Sequence, residues 1–117
     1  LQRLLAQAER RSAGADRGQR IASALSAAER ILARPRASDA DVLQAGEQLT
    51  EAQALDPGDA RLREVVDKLV AVLLLRAGER IEAGDRERAE ALLERVRALA
   101  PNSAQLRELQ VRIENGQ

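Results

Sequence analysis

At 117 residues the chain is long enough for one domain with a real core, yet it holds no Phe, Trp, Tyr, Met, Cys or His. The core must therefore be aliphatic. Disulfides, thiolate nucleophiles, structural zinc sites and the usual general base at neutral pH are all excluded. Formal charge is zero, 19 basic against 19 acidic groups, but residues 1–37 carry net +5 and residues 38–117 net −5.

That basic third predicts contact with the acidic remainder or with a neighbouring segment. No Lys-rich cluster or stacking aromatic accompanies its arginines, so no nucleic-acid partner is expected. There is no initiator Met, signal peptide or membrane span, and the chain reads as a piece of something larger without direct membrane insertion.

In chain order, Leu1, Leu4, Leu5 and Ala8 share one side of a short helix over residues 1–12. Gly14 and Gly18 then predict a break, and Asp16 with Gln19 resembles a capping box opening a second helix over 17–34. That helix carries Ile21, Leu25, Ala28 and Leu32 on one stripe, and Pro35 ends it. Ser38 or Asp39 can cap a third helix running to Leu55, with Val42, Ala45, Leu49 and Ala52 inward. The Asp56-Pro57-Gly58-Asp59 corner stops it and caps the next.

Residues 59–83 are the centre of the chain. Leu62, Val66, Leu69, Leu73, Ala77 and Ile81 recur at helical spacing, with Val70 and Leu74 one step away. Residues 69–75 are apolar on every side, too short for a bilayer and bracketed by Asp67, Lys68 and Arg76. Such a segment needs cover on more than one face. Gly84 and Asp85 form the next corner, and a fifth helix over 86–99 points Ala89, Leu92, Leu93, Val96 and Leu99 inward. After Pro101, Asn102 with Gln105 predicts another capping box, and a last helix ended by Asn115 and Gly116 is expected to bury Leu106, Leu109 and Ile113. Nothing alternates with period two, so the expectation is an all-α array of antiparallel hairpins without strands.

An internal repeat supports that order. Residues 27–33 match 77–83 at an offset of 50. Further on, Ala45, Leu49, Leu55, Pro57, Leu62 and Glu64 fall on Ala89, Leu93, Leu99, Pro101, Leu106 and Glu108 at an offset of 44. A helix hairpin that occurs twice is the mark of a helical solenoid.

Residues 70–103 resemble a tetratricopeptide repeat (TPR), on small Ala77 and Gly78 in the first helix, the Gly84-Asp85 turn, Ala89 early in the second and the ALAPNS ending. AQALDPGD is the same ending one unit earlier. The family's large positions are Leu73, Arg80 and Leu93 here, and the first helix is extended by about three turns. The resemblance implies a short TPR-like solenoid over 38–117 behind N-terminal capping helices over 1–37, together one compact domain. The long helix, the GD corner and the LDP or LAP endings also resemble TPR-like extracytoplasmic segments of proteobacterial membrane-anchored serine/threonine kinases. That likeness implies a docking or sensory role in bacterial signalling and a periplasmic location, with a cytoplasmic one as the alternative.

Little chemistry is available for an enzyme or a cofactor. Lys68, the single lysine, lies on the charged side of the central helix. Glu87, Glu90 and Glu94 share a face with arginines beside them, and Glu47 and Glu51 are one turn apart; both read as solvated helix faces rather than metal ligands. No glycine-rich phosphate loop occurs.

The function expected is therefore a non-catalytic protein–protein interaction module. Ala71, Leu75, Gly78 and Glu82 form a small, apolar stripe beside the core stripe of the central helix, suited to an apolar helix of a partner. TPRs that clamp a terminal carboxylate use Lys, Arg and Asn on this inner surface; Leu74, Leu75 and Gly78 depart from that pattern. The alternative is a structural spacer that forms a homodimer through the same stripe. Either the helix bearing Ile21, Leu25, Ala28 and Leu32 covers the surplus apolar surface, or a partner does.

Overall fold

The computed structural model describes the backbone of residues 2–116 and the side chains of residues 16–116. The chain is all-α, with five helices and no strand among the described residues: α1 (Gln2–Leu32), α2 (Asp39–Leu55), α3 (Ala60–Glu82), α4 (Arg86–Leu99) and α5 (Ala104–Glu114).

The expected break near residues 13–16 is absent, and this corrects the sequence reading. The two N-terminal helices are one, and α1 runs through Gly14 and Gly18, so Asp16 and Gln19 lie inside a helix and cap nothing. A glycine inside a helix costs only about 1 kcal/mol relative to alanine, and no proline interrupts the segment. The surrounding Ala, Arg, Gln, Glu and Leu are strong helix formers, and that preference prevails. The stripe of Leu1, Leu4, Leu5 and Ala8 lies outside the described side chains.

The remaining boundaries follow local chemistry. Ser38 accepts from the Asp41 amide at 3.1 Å and caps α2. Asp59 accepts from the Leu62 amide at 2.9 Å and caps α3. Gly84 takes the left-handed conformation at φ 78° and closes α3, and Asp85 caps α4 through the Arg88 amide at 3.2 Å. At α5 the cap is Ser103, accepting from the Leu106 amide at 3.3 Å, and not Asn102. The two residues are adjacent and both are good cap formers. Leu106, the third residue of the helix, is buried.

Packing makes α3 the hub. It touches α1, α2, α4 and α5; α1 also packs on α2, α2 on α4, and α4 on α5. The odd-numbered helices thus neighbour one another in chain order, and so do α2 and α4. Asp39 at the start of α2 meets Arg76 and Arg80 in the last third of α3, so these two helices run in opposite senses. Nine residues of α3 are buried, from Leu62 to Ile81, in one continuous aliphatic core with Leu49 of α2, Leu92 and Val96 of α4 and Ala28 of α1. Three pairs at the offset of 44 are buried alike, Ala45 and Ala89, Leu49 and Leu93, Leu62 and Leu106, whereas Leu55 is half-buried and its counterpart Leu99 is buried.

Candidate functional site

Four helices around α3 still leave one of its faces bare. Leu69, Val70, Leu73 and Leu74 are buried, whereas Ala71 is exposed and Leu75 is 66% exposed, in the middle of the chain's most apolar helix. Only one other large apolar side chain, Val111 on α5, is counted as exposed among the described residues. Ile31 and Leu32 of α1 reach a hollow on one side of Leu75 but do not cover it. The sequence left open whether the chain would fill this position itself; among the described residues it does not.

The four stripe residues come together. Ala71, Leu75, Gly78 and Glu82 line one side of a groove of about 480 Å³, and Gln105, Glu108 and Leu109 of α5 line the other. Gly78 has open space where a Cβ would stand, so the backbone of α3 is accessible at that point. The α5 residues were not singled out from the sequence as part of a site; Leu109, expected in the core with Leu106 and Ile113, is only half-buried and faces the groove instead. Gln105, Glu108 and Leu109 follow one another at helical spacing, which is the signal that could have found them.

A second hollow, of about 620 Å³, lies on the other flank of Leu75. Its charge comes from Arg34, Arg76 and Arg80 against Asp39 and Glu79. Arg76 Nη1 donates to Asp39 Oδ1 at 3.0 Å, and Arg80 Nε donates to Oδ2 at 2.9 Å. Burial alone would raise the Asp39 pKa. The hydrogen bonds and charges of Arg76 and Arg80 outweigh that burial and hold the carboxyl below its ordinary value. This triad ties α2 to α3 beneath the ridge on which Leu75 stands.

The other charged groups go to ordinary surface roles. Lys68 pairs with Glu64 one turn away at 3.7 Å, with both side chains exposed. Glu90 pairs with Arg86 at 3.1 Å and Glu47 with Arg95 at 3.4 Å. The basic N-terminal third packs on α2 and α3, but its arginines form no ion pair with the acidic remainder among the described residues. Among the described residues Arg17, Arg20, Arg30, Arg34 and Arg36 are exposed without an ion pair, and the bridge that does join the two parts, Arg61 to Glu29 at 3.0 Å, has the opposite sense. No described helix is long and apolar enough to cross a membrane.

One close contact had no sequence signature. The stem of Arg95 lies across buried Gly46, where a Cβ would come within 2.7 Å of Cγ. The guanidinium then reaches Thr50 Oγ1 at 3.3 Å and Glu47.

No protein-family model, curated protein or solved structure matches the chain.

Proposed function

We propose that the chain is a non-catalytic protein–protein interaction module, a divergent TPR-like repeat that receives a helix or peptide of a partner along the outward face of α3. The observation that carries this reading is Leu75, 66% exposed at the centre of a helix whose neighbouring leucines are buried. A leucine in water forgoes roughly 1.5–3 kcal/mol of burial. Single exposed apolar residues are common, but this one stands between two hollows and beside small Ala71 and Gly78, where a second backbone can approach closely.

The TPR-like part of the reading is supported by the neighbour order. In a stack of helix hairpins the first helix of each unit packs on the first helix of the next, as α1, α3 and α5 do here. The shared burial of three pairs at the offset of 44 supports it as well. In such a stack the first helices line the concave, ligand-bearing side, and Leu75 and Leu109 belong to two of them.

Leucine-methyl NMR tests the reading. On addition of a neutral amphipathic helical peptide of Leu and Gln, the Leu75 and Leu109 methyl resonances should shift in a saturable manner while those of Leu49 and Leu92 stay in place. Absence of any saturable shift at Leu75 would count against docking on this face.

A further inference from the structure

The groove between α3 and α5 carries a charge that the chain leaves unanswered. Glu79 and Glu82 of α3 and Glu108 of α5 line it beside Ala71, Leu74, Leu75, Gly78 and Leu109, and Gln105 is the one remaining lining residue. No basic residue lines it; Arg112, one turn beyond Glu108 on α5, is outside the lining. None of the three carboxylates forms an ion pair among the described residues, although Glu29, Glu47, Glu64, Asp85 and Glu90 all do so elsewhere on the surface. Across the Leu75 ridge the sign reverses, because Arg34, Arg76 and Arg80 outnumber Asp39 and Glu79 in the neighbouring hollow.

Glu82 and Glu108, with Glu79 shared between the groove and the arginine-bearing hollow, stand over an apolar floor without an ion pair; they attract cations and repel anions, and the low-dielectric floor strengthens their field. A simple metal ion does not fit, because no acidic residues converge as a ligand set among the described residues. A second copy of the chain does not fit either. A two-fold pairing centred on this groove would set Glu79, Glu82 and Glu108 against the same residues of the other copy. The apolar surface of Leu75, Ala71 and half-buried Leu109 is also small beside the roughly 800 Å² per partner of a stable interface.

We propose that the α3/α5 groove receives a cationic amphipathic segment of a partner protein. One or two leucine-sized side chains lie over Ala71 and Gly78 against Leu75 and Leu109, and flanking Lys or Arg side chains meet Glu79, Glu82 and Glu108. The basic hollow beyond Leu75 fixes the direction, since it disfavours the segment's cationic side. This inference rests on the docking reading above and adds the chemistry of the partner.

Fluorescence anisotropy with three labelled helical peptides tests it, each with leucine on one face and Lys, Gln or Glu on the other. At about 50 mM salt the Lys peptide should bind at least roughly tenfold tighter than the Gln peptide, and the advantage should shrink at about 300 mM as screening grows. The double substitution Glu82→Gln, Glu108→Gln should remove most of that advantage. The double substitution Glu64→Gln, Glu87→Gln makes the same change in net charge outside the groove and should leave binding within about twofold. The proposal is overturned if the two double variants weaken binding equally, if the groove variant binds as wild type, or if the Glu peptide binds as well as the Lys peptide. A dimer in light scattering across a dilution series, dispersed by Leu75→Glu, would assign the face to a second copy and also overturn it. Should the Gln peptide shift the Leu75 and Leu109 methyls with no preference for Lys, this inference falls while the docking reading stands. Should no peptide perturb Leu75, both fall.

Discussion

Arg76 of α3 holds Asp39, the first residue of α2, through a 3.0 Å hydrogen bond, with both side chains more than four-fifths buried. Arg80 adds a second grip on the other carboxylate oxygen at 2.9 Å. The contact fixes the start of α2 against α3, in the hollow that flanks Leu75. Because the folded-state pKa of Asp39 is lowered, the unfolded chain takes up this proton first as pH falls. The stabilisation is therefore complete above the ordinary carboxylate pKa of 3.8 and is lost as pH falls through the lower folded value. Urea titrations between about pH 2 and 7 should show Asp39→Asn less stable at neutral pH by about 1–3 kcal/mol, the range for a hydrogen-bonded charged group, with the difference shrinking toward the acid end. A difference that stays constant with pH would mean the pair contributes packing alone.

Gly46 and Arg95 are coupled by contact, and a double-mutant cycle should expose it. In the wild type, Gly46→Ala drives a Cβ into the Arg95 stem at 2.7 Å, so the usual helix gain is cancelled or reversed. In an Arg95→Ala background the same substitution should stabilise by about 1 kcal/mol, the difference in helix propensity. Equal effects in both backgrounds would remove the contact from the account.

The core should be intolerant of truncation. Leu93 is 3% exposed and Leu73 is fully buried, both within the one aliphatic cluster. Leu93→Ala should cost roughly 2–5 kcal/mol, in the upper half of that range because no aromatic ring is present to collapse into the cavity. A loss under about 1 kcal/mol in a two-state urea titration would mean α4 is peripheral.

Continuity of α1 has its own test. Gly18 is exposed, has ordinary helical backbone, and nothing lies within 4 Å of where a Cβ would stand. Gly18→Ala should therefore stabilise the protein by about 0.5–1 kcal/mol. If the chain instead turned at this glycine in a left-handed conformation, alanine would destabilise it.

Much of this architecture was legible in the sequence because it depends on local signals. Asp59, Gly84 and Asp85 mark the ends of α3 and α4 through side-chain and backbone chemistry that acts within four residues. The inward stripes of α2, α3 and α4 follow from spacing alone. Gly14 and Gly18 misled because a glycine is only a weak breaker, and the good helix formers around it decide the outcome. The excess apolar surface at Leu75 could be read from the all-round run, but its exposure depends on where the other four helices settle. The α5 side of the groove and the Arg95 stem over Gly46 depend on packing register between helices, which no short stretch of sequence encodes.

The face of α3 that bears Leu75 is left uncovered by the other described helices. Leu74 and Leu75 are neighbours in sequence with opposite surroundings, 7% and 66% exposed. Circular-dichroism melts of Leu74→Glu and Leu75→Glu against wild type show whether this face is open. A carboxylate at Leu74 would be buried without a partner and should cost several kcal/mol, about 3 or more, with a large drop in Tm. At Leu75 the same substitution should leave stability within about 0.5 kcal/mol of wild type. A large loss of stability in Leu75→Glu, comparable to that in Leu74→Glu, would show that this face is already covered by the chain itself.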